Sequence, residues 1–241
     1  MQNMMGRIRR CAEDYNMIAE GDKIAVGVSG GKDSLSLLYL LAALRRYYPA
    51  HYELQAVTID MGLPGMDFSP VAALCEKLEV PYQIKKTEIG PIIFDYRHEK
   101  NPCSMCAKMR RGALNDVLLS LGCNKIALGH HFDDAVETML MNLLFEGRIG
   151  CFQPVTYLDR SGITQIRPLL YCHEDEVRRA VAKLRLPVVQ NPCPANGSTR
   201  RQEVKELLLQ LEERYPNLRQ KIFGAMQRYP LYGWNLEEIE K

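Results

Sequence analysis

The chain has 241 residues, of which 46% are hydrophobic and 25% charged, and its formal net charge is +2. This length suits one α/β domain with an appendage or two small domains, and the composition is that of an ordinary globular protein, without low-complexity segments. No apolar run approaches the roughly 18 residues that span a bilayer, and no secretory segment follows Met1, so we expect a cytoplasmic protein with no membrane association.

The eight cysteines are not expected to form a disulfide framework, because a clustered subset in a reducing compartment more often binds a metal or is catalytic. Arginine and lysine also cluster in four stretches. Such clusters are usually solvated helix faces, but several on one face would form a binding surface for a polyanion. The four stretches are Arg7–Arg10, Lys108–Arg111, Val177–Arg185 and Thr199–Lys205.

Strand and helix patterns alternate along the chain. In chain order they predict a strand at Ile24–Val28, the turn SGGKDS with a helix after it, a strand at Glu53–Asp60, a helix at Pro70–Leu78, a strand at Pro81–Lys85, a helix at Cys106–Leu121, a strand at Lys125–Leu128, a helix from GHHFDD through Phe145, a hairpin-like stretch at Cys151–Ile166 with a fifth strand at Ile163–Arg167, and helices at Glu174–Leu184, Thr199–Arg214 and Leu218–Arg228.

This alternation predicts a parallel sheet covered by helices on both faces. Ligands of such sheets bind beyond the carboxyl ends of the strands. Two polar, glycine-containing motifs, SGGKDS and GHHFDD, each follow a predicted strand directly. Both motifs are therefore expected to face the same crevice.

The first motif has the properties of a phosphate-binding loop. Its glycines allow a tight turn close to a ligand, the amides that open the next helix attract an anion, and the lysine adds a full positive charge. It is not a Walker loop, which would require Gly in place of Val26 and Ser or Thr in place of Asp33. A plain glycine-rich turn is the alternative. The predicted ligand-binding residues are Ser29, Gly30, Gly31, Lys32, Asp33 and Ser34.

In the second motif, Gly129 permits close approach of backbone to a ligand, and His130 lies beside it. Asp133 and Asp134 either cap the following helix or bind Mg²⁺, which prefers carboxylate and phosphate oxygens. Helix capping with a hydrogen-bonded histidine is the simpler interpretation of this motif taken alone.

The tripeptide Asn-Pro-Cys occurs twice, once at Cys103, within the CxxC motif that ends at Cys106, and once at Cys193. A CxxC motif alone fits a redox pair or half of a zinc site. Zinc requires a fourth ligand, which could be His98 or one of the other cysteines. A [4Fe–4S] cluster can be held by three thiolates.

SGGKDS after a buried first strand resembles the pyrophosphate loop of the N-type ATP pyrophosphatase (PP-loop) superfamily. The resemblance implies an adenine-nucleotide α-hydrolase-like fold, with a five-stranded parallel sheet sandwiched by helices. It implies that ATP is cleaved to AMP and pyrophosphate, and that backbone at Ile59-Asp60-Met61 recognises adenine. LGHHxDDxxET resembles the second signature of PP-loop enzymes acting on tRNA, so Asp33 and Asp134 are predicted to organise Mg²⁺·ATP.

CSMCAKMRRGAL is similar to the CxxC-x₃-RRG segment of the tRNA 2-thiocytidine synthetases, and IRPLLYCHEDEV and YPNLRQKIFGAMQR resemble two further segments of that family. The resemblance implies that Cys103, Cys106 and Cys193 ligate a [4Fe–4S] cluster. It further implies a sulfurtransferase that adenylates the 2-oxygen of a tRNA base and replaces it with sulfur. Catalytic roles are expected for Lys32 and Arg110, besides the two aspartates.

On this basis we expect an N-terminal helical segment at residues 1–22, a PP-loop ATPase domain at 23–190 and a C-terminal helical extension at 191–241. The expected partners are tRNA and a sulfur donor such as a cysteine desulfurase or free sulfide, and a homodimer is plausible from the family. Because the chain is short for that family, sulfur transfer to a free thiopyrimidine, or desulfuration of one or of a thiolated tRNA base, is an alternative. A tRNA-lysidine-type ligase and a non-enzymatic ATP-binding module are others.

Overall fold

The computed structural model describes residues 2–96, 102–190, 192–193, 200–229 and 234. Helices and strands alternate through most of this range. The helices are α1 (Gln2–Asp14), α2 (Lys32–Leu44), α3 (Ser69–Lys77), the single turn α4 (Ile89–Pro91), α5 (Pro102–Ser120), α6 (Phe132–Glu146), α7 (Glu174–Leu184), α8 (Arg200–Arg214) and α9 (Leu218–Arg228), and the strands are β1 (Asp22–Gly27), β2 (Tyr52–Asp60), β3 (Tyr82–Lys86), β4 (Lys125–Ala127), β5 (Val155–Leu158) and β6 (Ile163–Ile166).

The strands form one sheet in the order β3-β2-β1-β4-β6-β5. The first five strands in this order are mutually parallel, and β5 pairs with β6 in the antiparallel direction. The predicted five-stranded parallel sheet is therefore confirmed. The hairpin-like stretch contributes a sixth strand at the edge, because its short turn returns the chain beside β6.

Helices cover both faces of the sheet, and the hydrophobic core on one face is much larger than that on the other. The larger core cluster includes the leucines of helix α2, buried residues of α1, α6 and α7, and the side chains of β1 that point to this face. A smaller cluster, with Val57, Val117 and Ile126, lies where α5 packs on the opposite face. Alternating strand residues thus serve two cores, as expected for a sheet covered on both sides.

Both ends of the described chain join the larger core. Met4 and Ile8 of α1 are buried there, as are Val204 of α8 and Phe223 of α9. Trp234 is fully buried in the same cluster, and its indole Nε1–H donates to the carbonyl oxygen of Phe152 at 2.8 Å. The division into segments at residues 22 and 190 stays a prediction.

Two elements differ from the expected pattern. Helix α5 begins at Pro102, four residues before the predicted start, so Cys103 and Cys106 both lie in its first turns. Proline suits a helix start, since its missing N–H would have no partner there. The chain also forms a wider π-helical turn at Ile92–Tyr96, which the sequence did not reveal. No helix in the described ranges is both long and apolar enough to cross a bilayer.

Candidate functional site

Hydrogen bonds to its own serine hydroxyl groups fix the conformation of the loop between β1 and α2. Ser34 Oγ donates to the carbonyl oxygen of Gly31 at 3.0 Å and lies 3.2 Å from Ser29 Oγ. The amide of Ser29 donates to Ser34 Oγ, and the amide of Gly31 donates to Ser29 Oγ. Among the described residues, no side chain caps the start of α2, where Gly31 is the N-cap residue. The first amides of the helix are therefore left for a ligand, as in other anion-binding helix starts.

Gly30 is required by both its conformation and its surroundings. Its φ of +83° lies in the left-handed region, and a Cβ at this position would lie 2.9 Å from Cβ of Val189. The amide of Val189 donates to the carbonyl oxygen of Gly30 at 3.0 Å. Val189 is four residues before Cys193 in the sequence. The approach to the third cysteine is thus hydrogen-bonded directly to the phosphate loop.

Lys32 is surrounded by carboxylates. Its Nζ lies 2.9 Å from Asp33 Oδ2 and 3.3 Å from Glu174 Oε1. Glu174, the first residue of α7, also pairs with Arg178 and Lys205. Burial would raise the pKa of Glu174, but hydrogen bonds from Lys205 and Arg178 and the charge of Lys32 lower that pKa to about 2. Glu174 is therefore an anion that holds Lys32 beside the loop.

The second motif packs directly against the first. A Cβ at Gly129 would lie 3.0 Å from the carbonyl carbon of Asp33 and 3.1 Å from the amide nitrogen of Ser34. Only glycine allows this approach of two backbones without a shift. His131 is the N-cap of α6: its Nδ1 accepts from the amide of Asp134 at 3.4 Å, and its own amide donates to Asp134 Oδ2 at 2.9 Å. The helix cap that the sequence allowed is present.

The predicted magnesium carboxylates flank one imidazole. His131 Nε2 lies 3.7 Å from Asp33 Oδ1 and 3.5 Å from Asp134 Oδ2. Asp134 also pairs with Arg201 of α8 at 3.1 Å, and Arg201 pairs with the buried Glu137 at the same distance. Since Mg²⁺ takes one or two carboxylates together with substrate phosphates, this arrangement is compatible with Mg²⁺·ATP. The separate roles of the two aspartates stay a prediction.

Asp133 has a structural environment instead. Its Oδ2 accepts from the amide of Glu174 at 2.8 Å, and its Oδ1 lies 3.5 Å from a guanidinium nitrogen of Arg219. These contacts join the starts of α6 and α7 to α9, so Asp133 connects three helices around the site.

A cavity of about 410 Å³ lies over the carboxyl ends of the parallel strands. Ser29 of the phosphate loop, Ile59 of β2 and His130 of the second motif line it. So do Ala107 and Arg110, which follow Cys106 on α5. Residues from both strand-end motifs and from the cysteine helix therefore meet at one cavity, of the size that binds small ligands.

His130 and Phe152 form one wall of this cavity. Their ring centroids are 4.9 Å apart. His130 Nδ1 is buried and has no hydrogen-bond partner among the described residues. Burial and the nearby positive charge of Arg167 lower the pKa of His130 to about 4, so the imidazole is neutral at pH 7.

The end of β2 is closed by local hydrogen bonds. The carbonyl oxygen of Asp60 accepts from the amide of Thr87 at 2.9 Å, and that of Met61 accepts from the amide of Gly90 at 2.7 Å. Ile59 lines the cavity, whereas the side chain of Asp60 accepts from the amide of Gly62 at 3.0 Å. Adenine recognition by this backbone stays a prediction.

The three predicted cluster cysteines interact electrostatically. Burial raises the pKa of Cys106, the Arg110 guanidinium beside it lowers that pKa, and the thiols of Cys193 and Cys103 raise it further. Cys106 Sγ also lies 3.5 Å from the sulfur of Met61 at the end of β2. Cys103 is exposed, while Cys106 and Cys193 are partly buried. The thiols of Cys103 and Cys193 are therefore both near enough to Cys106 to affect its charge.

The predicted metal ligands are Cys103, Cys106 and Cys193. No three His, Cys, Asp or Glu side chains of the described ranges converge on a single point suited to one metal ion. His98, the possible fourth zinc ligand, lies outside the described residues. Thiolates are soft ligands, and three of them can hold a [4Fe–4S] cluster. The chemistry of these residues thus fits a [4Fe–4S] cluster, and the ligand assignment stays a prediction.

Several residues of the site were not identified from the sequence. Glu174 and Arg201 reach the nucleotide motifs from α7 and α8, and Arg167 reaches the cavity from the end of β6. In the sequence, the only indications of these residues were the basic TRRQEV stretch and the IRPL segment. Neither indicates which acidic or aromatic partner a basic residue will meet in the fold.

The comparisons with known proteins agree with this geometry. A family model described as a PP-loop domain matches residues 2–212. A tRNA-cytidine(32) 2-sulfurtransferase of Pelobacter propionicus is 42% identical over 91% of this chain and 82% of its own length. One of Geobacter sulfurreducens is 40% identical over 95% of this chain and 91% of its own length.

Among solved structures, the chain is similar to the U34-tRNA thiolase NcsA from Methanococcus maripaludis with its [4Fe-4S] cluster. The TM-score is 0.76 at 27% identity, and the match covers 92% of this chain and 77% of that one. An NH3-dependent NAD synthetase from Campylobacter jejuni, at 16% identity and a TM-score of 0.51 over 95% of this chain and 93% of its own, shares the fold alone. Together these matches show that the chain belongs to the PP-loop domain family and, within it, to the tRNA-cytidine(32) 2-sulfurtransferase family.

Proposed function

We propose that this chain is an ATP-dependent tRNA sulfurtransferase that converts cytidine to 2-thiocytidine in the anticodon loop. The curated relatives are named for this activity at cytidine 32. The observation that carries the proposal is the shared cavity: the phosphate loop, the second motif and the cysteine helix all line it through Ser29, His130 and Ala107. Activation of a base and delivery of sulfur to it must occur at one place, and we assign both steps to this cavity.

The phosphate loop is proposed to bind the phosphates of ATP. The free amides at the start of α2 and the Lys32 ammonium supply positive charge where the pyrophosphate accumulates negative charge. Asp33 and Asp134 are proposed to hold Mg²⁺ on those phosphates. Lys32 is already held beside the loop by Glu174, so little reorganisation is needed when ATP arrives.

Activation proceeds by attack of the cytidine 2-oxygen on the α-phosphorus. The new oxygen–phosphorus bond forms as the bond to pyrophosphate breaks, and the C2 carbon becomes electrophilic. Sulfur at the oxidation level of sulfide then adds to C2, a proton is lost, and AMP departs with the original oxygen. Arg110, which lines the cavity and lies beside Cys106, is proposed to stabilise the negative charge on the departing AMP.

Cys103, Cys106 and Cys193 are proposed to hold the [4Fe–4S] cluster. With three thiolate ligands from the protein, such a cluster would supply an iron to which the sulfur for transfer could bind. The protein's own contribution is placement. Cys106 lies one residue before Ala107 of the cavity wall, and the hydrogen bond from Val189 to Gly30 ties the approach to Cys193 to the nucleotide loop.

The target base must leave its stack to enter a cavity of this kind, which favours an unpaired loop nucleotide. We further propose that sulfur is supplied either as free sulfide or by a cysteine desulfurase. Persulfide sulfur from a desulfurase additionally requires a thiol reductant, since sulfur must be reduced by two electrons. A homodimer is also proposed, and light scattering of the purified chain would test it.

The nucleotide role is tested by Lys32→Ala. Loss of this charge is expected to abolish tRNA-dependent AMP formation while iron and sulfide content stay at the wild-type level. Lys77→Ala, exposed in the last turn of α3 and away from the carboxyl ends of the strands, is the matched control and should form AMP normally. AMP formation that persists in the Lys32 variant would contradict the nucleotide assignment.

The cluster ligands are tested by Cys193→Ala in anaerobically reconstituted protein. Iron content and visible absorption should both fall strongly, because two thiolates do not hold the cluster. Cys75→Ala is the matched control, since Cys75 is buried in the core of the opposite face. Retention of the full absorption by the Cys193 variant would remove this residue from the ligand set.

A further inference from the structure

Arg167 is a buried arginine whose hydrogen-bond partners are all neutral. Its side chain follows β6, and the residue is 6% exposed. Nη1 donates to the carbonyl oxygen of Gln153 and to Thr156 Oγ1, and Nη2 donates to Gln165 Oε1 at 3.2 Å. The guanidinium also lies 5.0 Å over the ring of Phe152. These contacts satisfy part of its hydrogen-bonding capacity but supply no negative charge.

Within the described ranges, Arg167 has no carboxylate at ion-pair distance, and its Nε–H has no acceptor. Burial and the neighbouring Arg111 lower the pKa of Arg167 to about 10, so the group remains a cation at neutral pH. A buried cation normally has a paired anion, because desolvation without one is costly. The structure therefore contains a positive charge whose partner is not part of the described protein.

The surroundings of Arg167 add further positive charge. Arg110 and Arg111 line the same cavity, and no aspartate or glutamate is among its lining residues in the described chain. The phosphate loop follows β1 and Arg167 follows β6, two strand positions away, so the ends of these two strands are about 10 Å apart. The cavity therefore has a second anion-attracting end, distinct from the phosphate loop.

We propose that Arg167, together with Arg111 and Gln165, binds a phosphate group of a nucleotide at this end of the cavity. The phosphate belongs either to the RNA backbone next to the target base or to AMP as it leaves. This assignment deepens the proposed function and rests on it. A planar guanidinium suits a phosphate because it can donate two parallel N–H bonds to it.

The chemistry of the reaction favours a phosphate over the base itself. When the 2-oxygen of cytosine gains a phosphoryl group, the pyrimidine ring becomes more positive, so a buried guanidinium in contact with the ring would oppose the step. AMP, in contrast, gains negative charge as it departs, and an RNA phosphodiester carries a permanent one. Either phosphate would compensate the buried charge of Arg167.

The test compares Arg167→Met with Arg167→Lys in the full-length, cluster-free chain. Far-ultraviolet circular dichroism and emission of the single tryptophan, Trp234, establish that each variant is folded. Binding of an anticodon stem–loop RNA is then measured over a range of salt concentrations, and binding of AMP by calorimetry. Arg45→Met, at the end of α2 remote from the carboxyl ends of the strands, is the control for loss of one positive charge.

If the RNA backbone is the ligand, the binding constant of Arg167→Met should depend less on salt: the negative slope of log K against log salt should decrease in magnitude by about one. The slope should stay unchanged in Arg167→Lys. If AMP is the ligand, its affinity should fall about tenfold or more in Arg167→Met. If Arg167→Met binds both RNA and AMP with wild-type affinity, the proposal is overturned. Arg167 would then have only a structural role, in joining the end of β6 to the segment around Gln153. An equal slope change in Arg45→Met would overturn the RNA assignment.

A second variant decides the question if Arg167→Met does not fold. Arg111 is exposed on α5, so Arg111→Met removes a charge from the same end without emptying a buried position. It should show the same loss of salt slope or of AMP affinity, and wild-type behaviour would count against the phosphate site. The proposed function is tested separately, since AMP formation in Lys32→Ala bears on the phosphate loop alone.

Discussion

Gly129 shows how a single hydrogen atom in place of a side chain brings the two nucleotide motifs together. Its α-carbon packs on the backbone of Asp33 and Ser34, where a methyl group would find only 3.0–3.2 Å. Because the obstructing atoms are backbone, they cannot rotate away as a side chain could. The position is therefore sensitive to the smallest possible substitution.

We expect Gly129→Ala to lower ATP affinity on the order of tenfold, since the loops must separate by a few tenths of an ångström. Calorimetric titration with ATP would measure this. Gly112→Ala is the control: it lies within α5 with nothing within 4 Å of the added carbon, so it should raise the free energy of unfolding by about 0.5–1 kcal/mol and leave ATP binding unchanged. Equal ATP affinity in both variants would contradict the packing argument.

Glu174 gives a residue-scale prediction about pH. Its pKa in the folded protein is about 2, below the ordinary value of 4.5, so its carboxylate stabilises the fold above pH 4.5 and this stabilisation is lost as the pH falls towards 2. In Glu174→Gln, the free energy of unfolding should fall less steeply across that window. We expect a difference of about 1–2 kcal/mol, reduced by the partial solvation of the group.

Urea unfolding at several pH values measures this effect. Asp175→Asn is the control, because the neighbouring carboxylate pairs with Arg179 on the exposed face of α7. The control should keep the wild-type slope in the same window. A Glu174 variant with unchanged acid sensitivity would show that its ion pairs do not contribute.

At the scale of elements, α8 is held on the site by charge. Arg201 contacts Asp134 and Glu137, and its Nη2 donates to Thr138 Oγ1 at 3.2 Å. Glu137 is 3% exposed, and burial raises its pKa despite the guanidinium beside it. Removing the arginine would therefore leave a buried carboxylate without a partner.

We expect Arg201→Met to lower the free energy of unfolding by about 1–3 kcal/mol at pH 7, because Glu137 is buried but the arginine itself is partly exposed to solvent. The loss should shrink at lower pH, where Glu137 of the variant becomes neutral. Arg214→Met, at the far end of the same helix beside an exposed tyrosine, should cost less than about 1 kcal/mol. Similar losses in the two variants would show that the contact of Arg201 with the buried Glu137 has no special role.

The positions of the helices and strands could largely be predicted from the sequence. Strand and helix positions followed from apolar periodicity, and α7 and α9 have the predicted bounds. The strand-end motifs were found because their glycines and charges stand next to buried strands. Glu174, Arg201 and Arg167 could not be found in this way, because their roles arise only when distant elements dock and choose their partners.

At the scale of the whole molecule, one core joins the first and last described helices. Buried side chains of α1, the sheet, α8 and α9 belong to the same cluster, together with Trp234. We therefore expect the cluster-free chain to unfold in one cooperative transition. Circular dichroism and tryptophan emission should give the same midpoint, whereas separate midpoints would indicate that the terminal segments fold independently.

Trp234 offers a direct probe of that shared core. It is fully buried and packs edge-on against Phe223, with ring centroids 5.3 Å apart. We expect Trp234→Ala to reduce the free energy of unfolding by about 3–5 kcal/mol, and Trp234→Phe to cost clearly less because it fills much of the same volume. Chemical denaturation followed by circular dichroism would measure both.

The two edge strands of the sheet constrain how copies of this protein can associate. On one side, the outermost strand β3 bears the exposed Lys85 and Lys86, and on the other the four-residue β5 turns back antiparallel on its neighbour. Charged or very short outer strands resist pairing with another chain. Self-association should consequently proceed through helical surfaces, leaving the strand ends, and the chamber above them, open to a polynucleotide.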